Sequence, residues 1–158
     1  MEEAARPAEP DDLARAAELY ELATAELRAE RGGDVWARHS GRPDRDAAVV
    51  ARLETLLADP AALALVGTLD GVVVGYALVR AVELSDGSRL ADLTDVYVEP
   101  EGRQVGIAEL LLDAVLAWAR QQGCFGVDAV ALPGMRETKN FFEAAGLTAR
   151  AIVVHKRL

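Results

Sequence analysis

Two Asp-Gly dipeptides constrain this chain more than any other feature. Asp70-Gly71 separates two apolar runs, ALALVGTL (62–69) and VVVGYALVRAVEL (72–84). A two-residue Asp-Gly step between apolar segments is a strong β-hairpin signal, because the tight turn needs positive φ at both positions. Asp86-Gly87 marks a second turn, before RLADLTDVYVEP. The three segments therefore form an antiparallel meander. Pro100 ends the third strand, since proline cannot donate to a sheet ladder. A meander this apolar needs cover on its faces, and the rest of the chain supplies it.

Residues 2–6 read as a short edge strand. Pro10-Asp11-Asp12 opens a helix whose apolar positions Leu13, Ala16, Ala17, Tyr20, Ala23 and Leu27 follow a helical period, ending near Arg31-Gly32-Gly33. The segment DVWARHSGRPDRD (34–46) has no clear period and reads as a long loop. A second helix runs from about Asp46 to Ala58. After the meander, Ile107 to Gln122 spaces Ile107, Leu110, Leu111, Ala114, Val115 and Trp118 along one buried face, and Gly123 caps it. CFGVDAVAL (124–132) is an apolar strand. The intervening helix makes it a parallel partner of the third meander strand. Pro133-Gly134 opens a helix to about Ala145, and LTARAIVVHKRL (147–158) reads as a last strand. The order β-α-α-β-β-β-α-β-α-β describes an α/β (α+β) chain. It has a mixed, mostly antiparallel sheet and helices on both faces, with residues 1–158 as one domain.

Composition narrows the function. Aromatics are only 5% of the chain, so Ala, Val and Leu build the core. No window approaches the roughly 20 apolar residues of a membrane helix. The start, MEEAARPAEPDD, lacks the basic and apolar regions of a signal peptide. The single Cys124 excludes an internal disulfide and suits a reducing cytoplasm. The Ala-, Arg- and acid-rich usage resembles that of high-GC bacteria. A net charge of −9 argues against nucleic-acid binding and favours cationic acceptors such as amines. Two histidines far apart give no metal-ligand spacing.

Chemistry concentrates in VEPEGRQVGIAELLL (98–112). A strand end, a proline stop and a basic, glycine-bearing turn lead into an amphipathic helix. Such a turn aims unpaired backbone amides at one spot before a helix N-terminus, where a phosphate is the natural ligand. The plain alternative is an ordinary glycine turn. The nucleoside-triphosphate loop GxxxxGK[ST] and the dinucleotide fingerprint GxGxxG are both missing. The spacing Arg103-x-x-Gly106-x-Ala108 resembles the pyrophosphate signature of the GNAT superfamily of acyl-CoA N-acyltransferases. The meander before it and the ending Phe141-Phe142-Glu-Ala-Ala-Gly146-Leu147 extend the resemblance over roughly Ala62 to Leu158.

The resemblance implies the GNAT fold and acetyl-CoA as co-substrate, with direct transfer of the acetyl group to an amine and no metal. It implies that the loop Arg103, Gln104, Val105, Gly106, Ile107 and Ala108 meets the pyrophosphate. The backbone from Val96 to Val98 pairs with the pantetheine arm, and strands ending near Val98 and Leu132 splay to admit it. The Val98 amide is then placed to polarise the thioester carbonyl.

On the third meander strand, Asp92 and Asp95 are the candidate carboxylates, and alternation puts them on opposite faces. Asp95 is favoured as amine binder or base, against a salt-bridged strand aspartate. Two positions depart from the family. Phe142 stands where a tyrosine often acts as general acid, leaving Tyr97, a water or an acceptor group to replace it. Met135 stands where Asn often contacts the CoA arm, and Arg136 and Lys139 are candidates to compensate. Trp36, Arg38 and His39 are candidates to line the acceptor site. Cys124 has no neighbouring base in sequence to make it a nucleophile. Alternatives to a small-molecule N-acetyltransferase are a non-catalytic acyl-CoA-binding or regulatory domain and a protein N-terminal or lysine acetyltransferase. One strand beyond the last helix, where relatives often have two, suggests a homodimer.

Overall fold

The meander forms as expected and anchors the architecture. A computed structural model describes all residues, Met1–Leu158. Strand β1 (Glu3–Pro7) is followed by a 3-10 turn and helix α1 (Leu13–Ala29), then α2 (Gly33–His39) and α3 (Asp46–Ala58). Strands β2 (Ala62–Leu69), β3 (Val72–Glu83) and β4 (Arg89–Val98) come next. A second 3-10 turn (Pro100–Gly102), helix α4 (Ile107–Gln121), strand β5 (Cys124–Ala129) and helix α5 (Arg136–Ala144) complete the order. The sheet runs β1-β2-β3-β4-β5, antiparallel except for the β4–β5 pair. Asp70 and Gly71 both have positive φ, 49° and 80°, as the tight turn requires. No helix is long and apolar enough to cross a membrane.

Strand alternation sorts the apolar side chains into two layers. Ala62, Ala64 and Val66 of β2 pack with Tyr76 and Leu78 of β3 against α1 and α3. Leu65, Ala77 and Val79 face the other way, against Ile107, Leu111 and Val115 of α4 and Phe142 of α5. Gly67 lets α4 approach closely: a Cβ there would stand 2.4 Å from Ile107 Cγ2.

Three expectations are corrected. The stretch read as a loop holds the short helix α2. An i,i+4 ion pair, Arg38 to Asp34 at 2.7 Å, and the Ser40 hydroxyl donating to the Trp36 carbonyl at 2.8 Å hold this helix. The expected last strand is not in the sheet. Residues 148–158 have no regular secondary structure, and Ile152, Val153, Val154 and Leu158 are exposed. The observed order is thus β-α-α-α-β-β-β-α-β-α.

The third correction bears on chemistry. Leu78 pairs with Asp95 but Val79 pairs with Leu93, so Thr94 is an extra residue, a β-bulge. Ala91, Leu93, Val96 and Val98 consequently all join the α4 layer. Asp92, Asp95 and Tyr97 share the α1 face, rather than dividing the two aspartates between faces.

Candidate active site

The site begins where β4 loses a neighbour. Pairing with β5 runs from Arg89↔Cys124 to Leu93↔Ala129 and stops. Beyond it, Thr94–Val98 keep β3 on one side and have no strand on the other. A parallel neighbour that diverges leaves backbone N–H and C=O groups open to an extended ligand. Val98 itself is buried. The splay expected near Val98 and Leu132 therefore begins at the bulge.

The turn after β4 supplies the second part. Gln104 and Gly106 have φ of 67° and 86°, and Gly106 caps α4. From Gln104 to Glu109 no amide donates to a backbone acceptor; the helical pattern starts with Leu110 N–H to the Gly106 carbonyl at 3.1 Å. Alternating left-handed residues before a helix make a concave nest of donors for an anion. A Cβ on Gly106 would meet nothing within 4 Å, so space lies open before the nest. Ile107 is buried under the sheet, while Val105 and Ala108 are half-buried. These features fit a pyrophosphate.

Arg103, expected on that phosphate, is held elsewhere. Its Nε donates to the Val98 carbonyl at 2.7 Å, and Nη2 reaches Glu26 of α1 at 3.0 and 3.2 Å. The Tyr97 hydroxyl donates to the same carboxylate at 3.2 Å. Burial, and then the Glu26 charge, push the Tyr97 pKa up to about 12.

Beside this cluster lies a buried polar network. Arg42, on the segment joining α2 to α3, sends Nη1 to Asp95 at 2.5 Å, Nε to the Thr24 hydroxyl at 2.6 Å and Nη2 to the Tyr76 hydroxyl at 3.3 Å. Its guanidinium carbon sits 3.9 Å from the Tyr20 ring centre, a cation–π arrangement. Tyr76 also donates to Asp95 at 3.0 Å. The Arg42 and Asp95 side chains are 5% and 7% exposed. Burial works against the Arg42 charge, but Asp95, Tyr76 and Tyr20 together outweigh it and raise the Arg42 pKa. Asp92 lies nearer the paired end of β4, opposite Asp128 in register. Burial, then the Asp128 charge, raises the Asp92 pKa, whereas a hydrogen bond from Arg150 lowers that of Asp128.

The structure thus groups Tyr97, Val98 and Arg103 at one mouth and puts Asp95 under Arg42. Phe142 is buried 5.4 Å from Phe141, in the α4 layer. Arg136 and Lys139 are exposed on α5, with Lys139 3.6 Å from Glu143. Trp36 is half-buried and His39 exposed, both on α2. Sequence reasoning missed Glu26 and Arg42. Glu26 looked like one more acid on a solvated helix face. Arg42, between Gly41 and Pro43, looked like a turn residue.

An open strand edge beside an anion nest has the donors to hold an extended ligand that carries a phosphate. Residues 16–147 match the model of the acetyltransferase (GNAT) family. The chain is 32% identical over 123 residues to an aminoglycoside N(6')-acetyltransferase type 1 of Salmonella typhimurium, covering 74% of this chain and 83% of the relative. A Stenotrophomonas maltophilia protein of the same name is 34% identical over 86 residues, 52% of this chain and 56% of that one. Among solved structures, the aminoglycoside N-acetyltransferase AAC(6')-Iy in complex with CoA matches with a TM-score of 0.74 at 24% identity, over 99% of this chain and 96% of that one. A Bacillus halodurans protein matches with a TM-score of 0.82 at 16% identity, over 98% and 99%. The chain belongs to the GNAT acetyltransferase family. It is an N-acetyltransferase that moves an acetyl group from acetyl-CoA to an amine.

Proposed function

We propose that this N-acetyltransferase acts on a polycationic amine of the aminoglycoside type and that residues 1–158 work as one catalytic unit. The observation that carries the donor half is the nest at Gln104–Glu109 beside the open edge of β4. The acceptor half is supported by the net charge of −9 and by the names of the relatives. The single, half-buried Cys124 suits a cytoplasmic setting.

Acetyl-CoA supplies an activated thioester carbonyl. Arg103, Gln104 and the amides through Ala108 hold its phosphates, with Arg136 and Lys139 beyond them on α5. Val96 and Val98 hydrogen-bond the extended arm, and the Val98 amide polarises the carbonyl. Phe142 packs beneath the arm without donating a proton. Tyr97, protonated at neutral pH because its pKa stands near 12, gives the proton to the departing sulfur. Asp95 is committed to Arg42, so we assign it the task of fixing that arginine, and the acceptor's proton leaves through water. Trp36 and His39 of α2 border the acceptor.

Acetyl-CoA should raise the melting temperature, as a native-state ligand must. Free CoA should appear when neamine and other polyamines are added. Binding without CoA release across a broad amine panel would establish the non-catalytic alternative. Activity confined to peptides would establish the protein-acetylating one.

We also propose a homodimer. β5 is an open sheet edge, and the exposed residues Ile152–Val154 lie on a tail that pairs with no strand of its own chain. Light scattering should give twice the monomer mass for the full chain and a monomer after deletion of residues 151–158. A monomeric full chain refutes it.

A further inference from the structure

Glu26 is a solvent-accessible carboxylate on the same face of the sheet as Tyr97, and it is shared by two donors from different parts of the site. Its Oε1 accepts from the Tyr97 hydroxyl, and both of its oxygens accept from Arg103 Nη2. Arg103 comes from the nest; Glu26 comes from the last third of α1. One ion pair therefore ties the donor loop to the helix that flanks the acceptor face. The Glu26 and Arg103 side chains are 51% and 40% exposed, and exposed pairs of this kind contribute little. A bidentate arginine–phosphate contact is stronger and needs two guanidinium nitrogens. Nε and Nη2 of Arg103 are both in use, on Val98 and Glu26. A phosphate that takes the Nε–Nη2 edge of Arg103 therefore displaces one of these partners. The Val98 bond is short and part-buried, while the Glu26 pair is the exposed one.

We infer that Glu26 is the residue that receives an ammonium group of the acceptor, and that Arg103 covers it until a CoA phosphate draws the arginine away. The assignment rests on the reading of the nest as the CoA site. Of the other carboxylates near Tyr97, Asp95 is sealed under Arg42 with no open side for a cation, and Glu99 is largely buried and held by Arg15 at 2.6 Å. Asp92 stands farther down β4, where pairing with β5 is intact. Among these carboxylates Glu26 joins accessibility to attachment at the mouth. Loss of Arg103 leaves Oε2 without a partner, and an ammonium restores the lost charge pair. In turning to the ammonium, the carboxylate also releases the Tyr97 hydroxyl for proton donation. Donor binding thereby makes this carboxylate more available to the acceptor, by the same modest factor that removing it strengthens donor binding.

The experiment compares wild type with Glu26→Gln, an exposed change that keeps shape and removes charge. Calorimetry with CoA alone should give about threefold tighter binding for the variant at low salt, because Arg103 no longer has a competing anion. The best amine acceptor found for the wild type should show a KM raised at least tenfold, with kcat within threefold. A merely structural glutamate would not split these parameters. An acceptor KM within twofold of wild type, or CoA affinity that is unchanged or weaker, overturns the inference. A wild-type protein that binds no CoA overturns the underlying reading of the nest instead.

Discussion

Arg42→Met should cost about 3–5 kcal/mol of folding stability, because it strands a buried carboxylate. Asp95 is 7% exposed and keeps only Tyr76 as a donor once Arg42 is gone. At about 2–4 °C per kcal/mol for a chain of this size, melting should fall by roughly 10 °C. The partner variant Asp95→Leu should cost a similar amount, since it leaves a guanidinium buried among Thr24, Tyr20 and Tyr76. Combining the two removes both charges, and most of the loss should return. Urea unfolding of the four proteins measures the coupling directly. Additive losses in the double variant would mean that the pair is not the element holding this region. Tight placement of the segment after α2, and with it Trp36 and His39, should loosen in either single variant.

Gly106→Val should abolish the stabilisation that acetyl-CoA confers, while leaving a folded protein. At a ligand concentration of 100 times Kd the wild type gains about 2.7 kcal/mol. That corresponds to a melting shift of roughly 5–10 °C. At φ 86°, a β-branched residue pays about 1–3 kcal/mol of backbone strain. A Cβ there meets no protein atom within 4 Å, because the space before Gly106 is open. The loss should therefore fall mainly on the ligand: valine fills the concavity and turns the amides away. Scanning calorimetry with and without acetyl-CoA checks this. A variant that melts a few degrees low yet keeps the full ligand shift would show that the nest is not where the phosphates bind.

Local signals made much of the fold legible. Asp70-Gly71 announced its hairpin because the chemistry of a two-residue turn is decided by those two residues. The helix at about Asp46 to Ala58 was readable from its apolar spacing. The glycine-bearing turn before α4 was readable for the same reason, since turn, cap and helix all lie within one short segment. What escaped depends on tertiary partners. The bulge at Thr94 is fixed by the register against β3, so simple alternation misplaced Asp92 and Asp95 on opposite faces. Arg42 meets Thr24, Tyr76 and Asp95, which stand 18, 34 and 53 positions away in sequence. α2 is too short for periodicity to declare it. The tail carries the apolar run of a strand, yet it forms no ladder with the open edge of β5, and β propensity alone makes no strand.

The bulging of the extra residue at Thr94 sets the phase of everything that follows it on β4. Without Thr94 the ladder from Leu93 to Asp95 would run regularly and keep the same faces. With Thr94 paired in line instead of bulged out, the strand's end would turn over by one step of the pleat. Asp95 and Tyr97 would then face the apolar α4 layer, and Val96 and Val98 would stand over Arg42 and Glu26. The facing of these side chains is thus encoded by how the strand absorbs one residue as much as by residue identity.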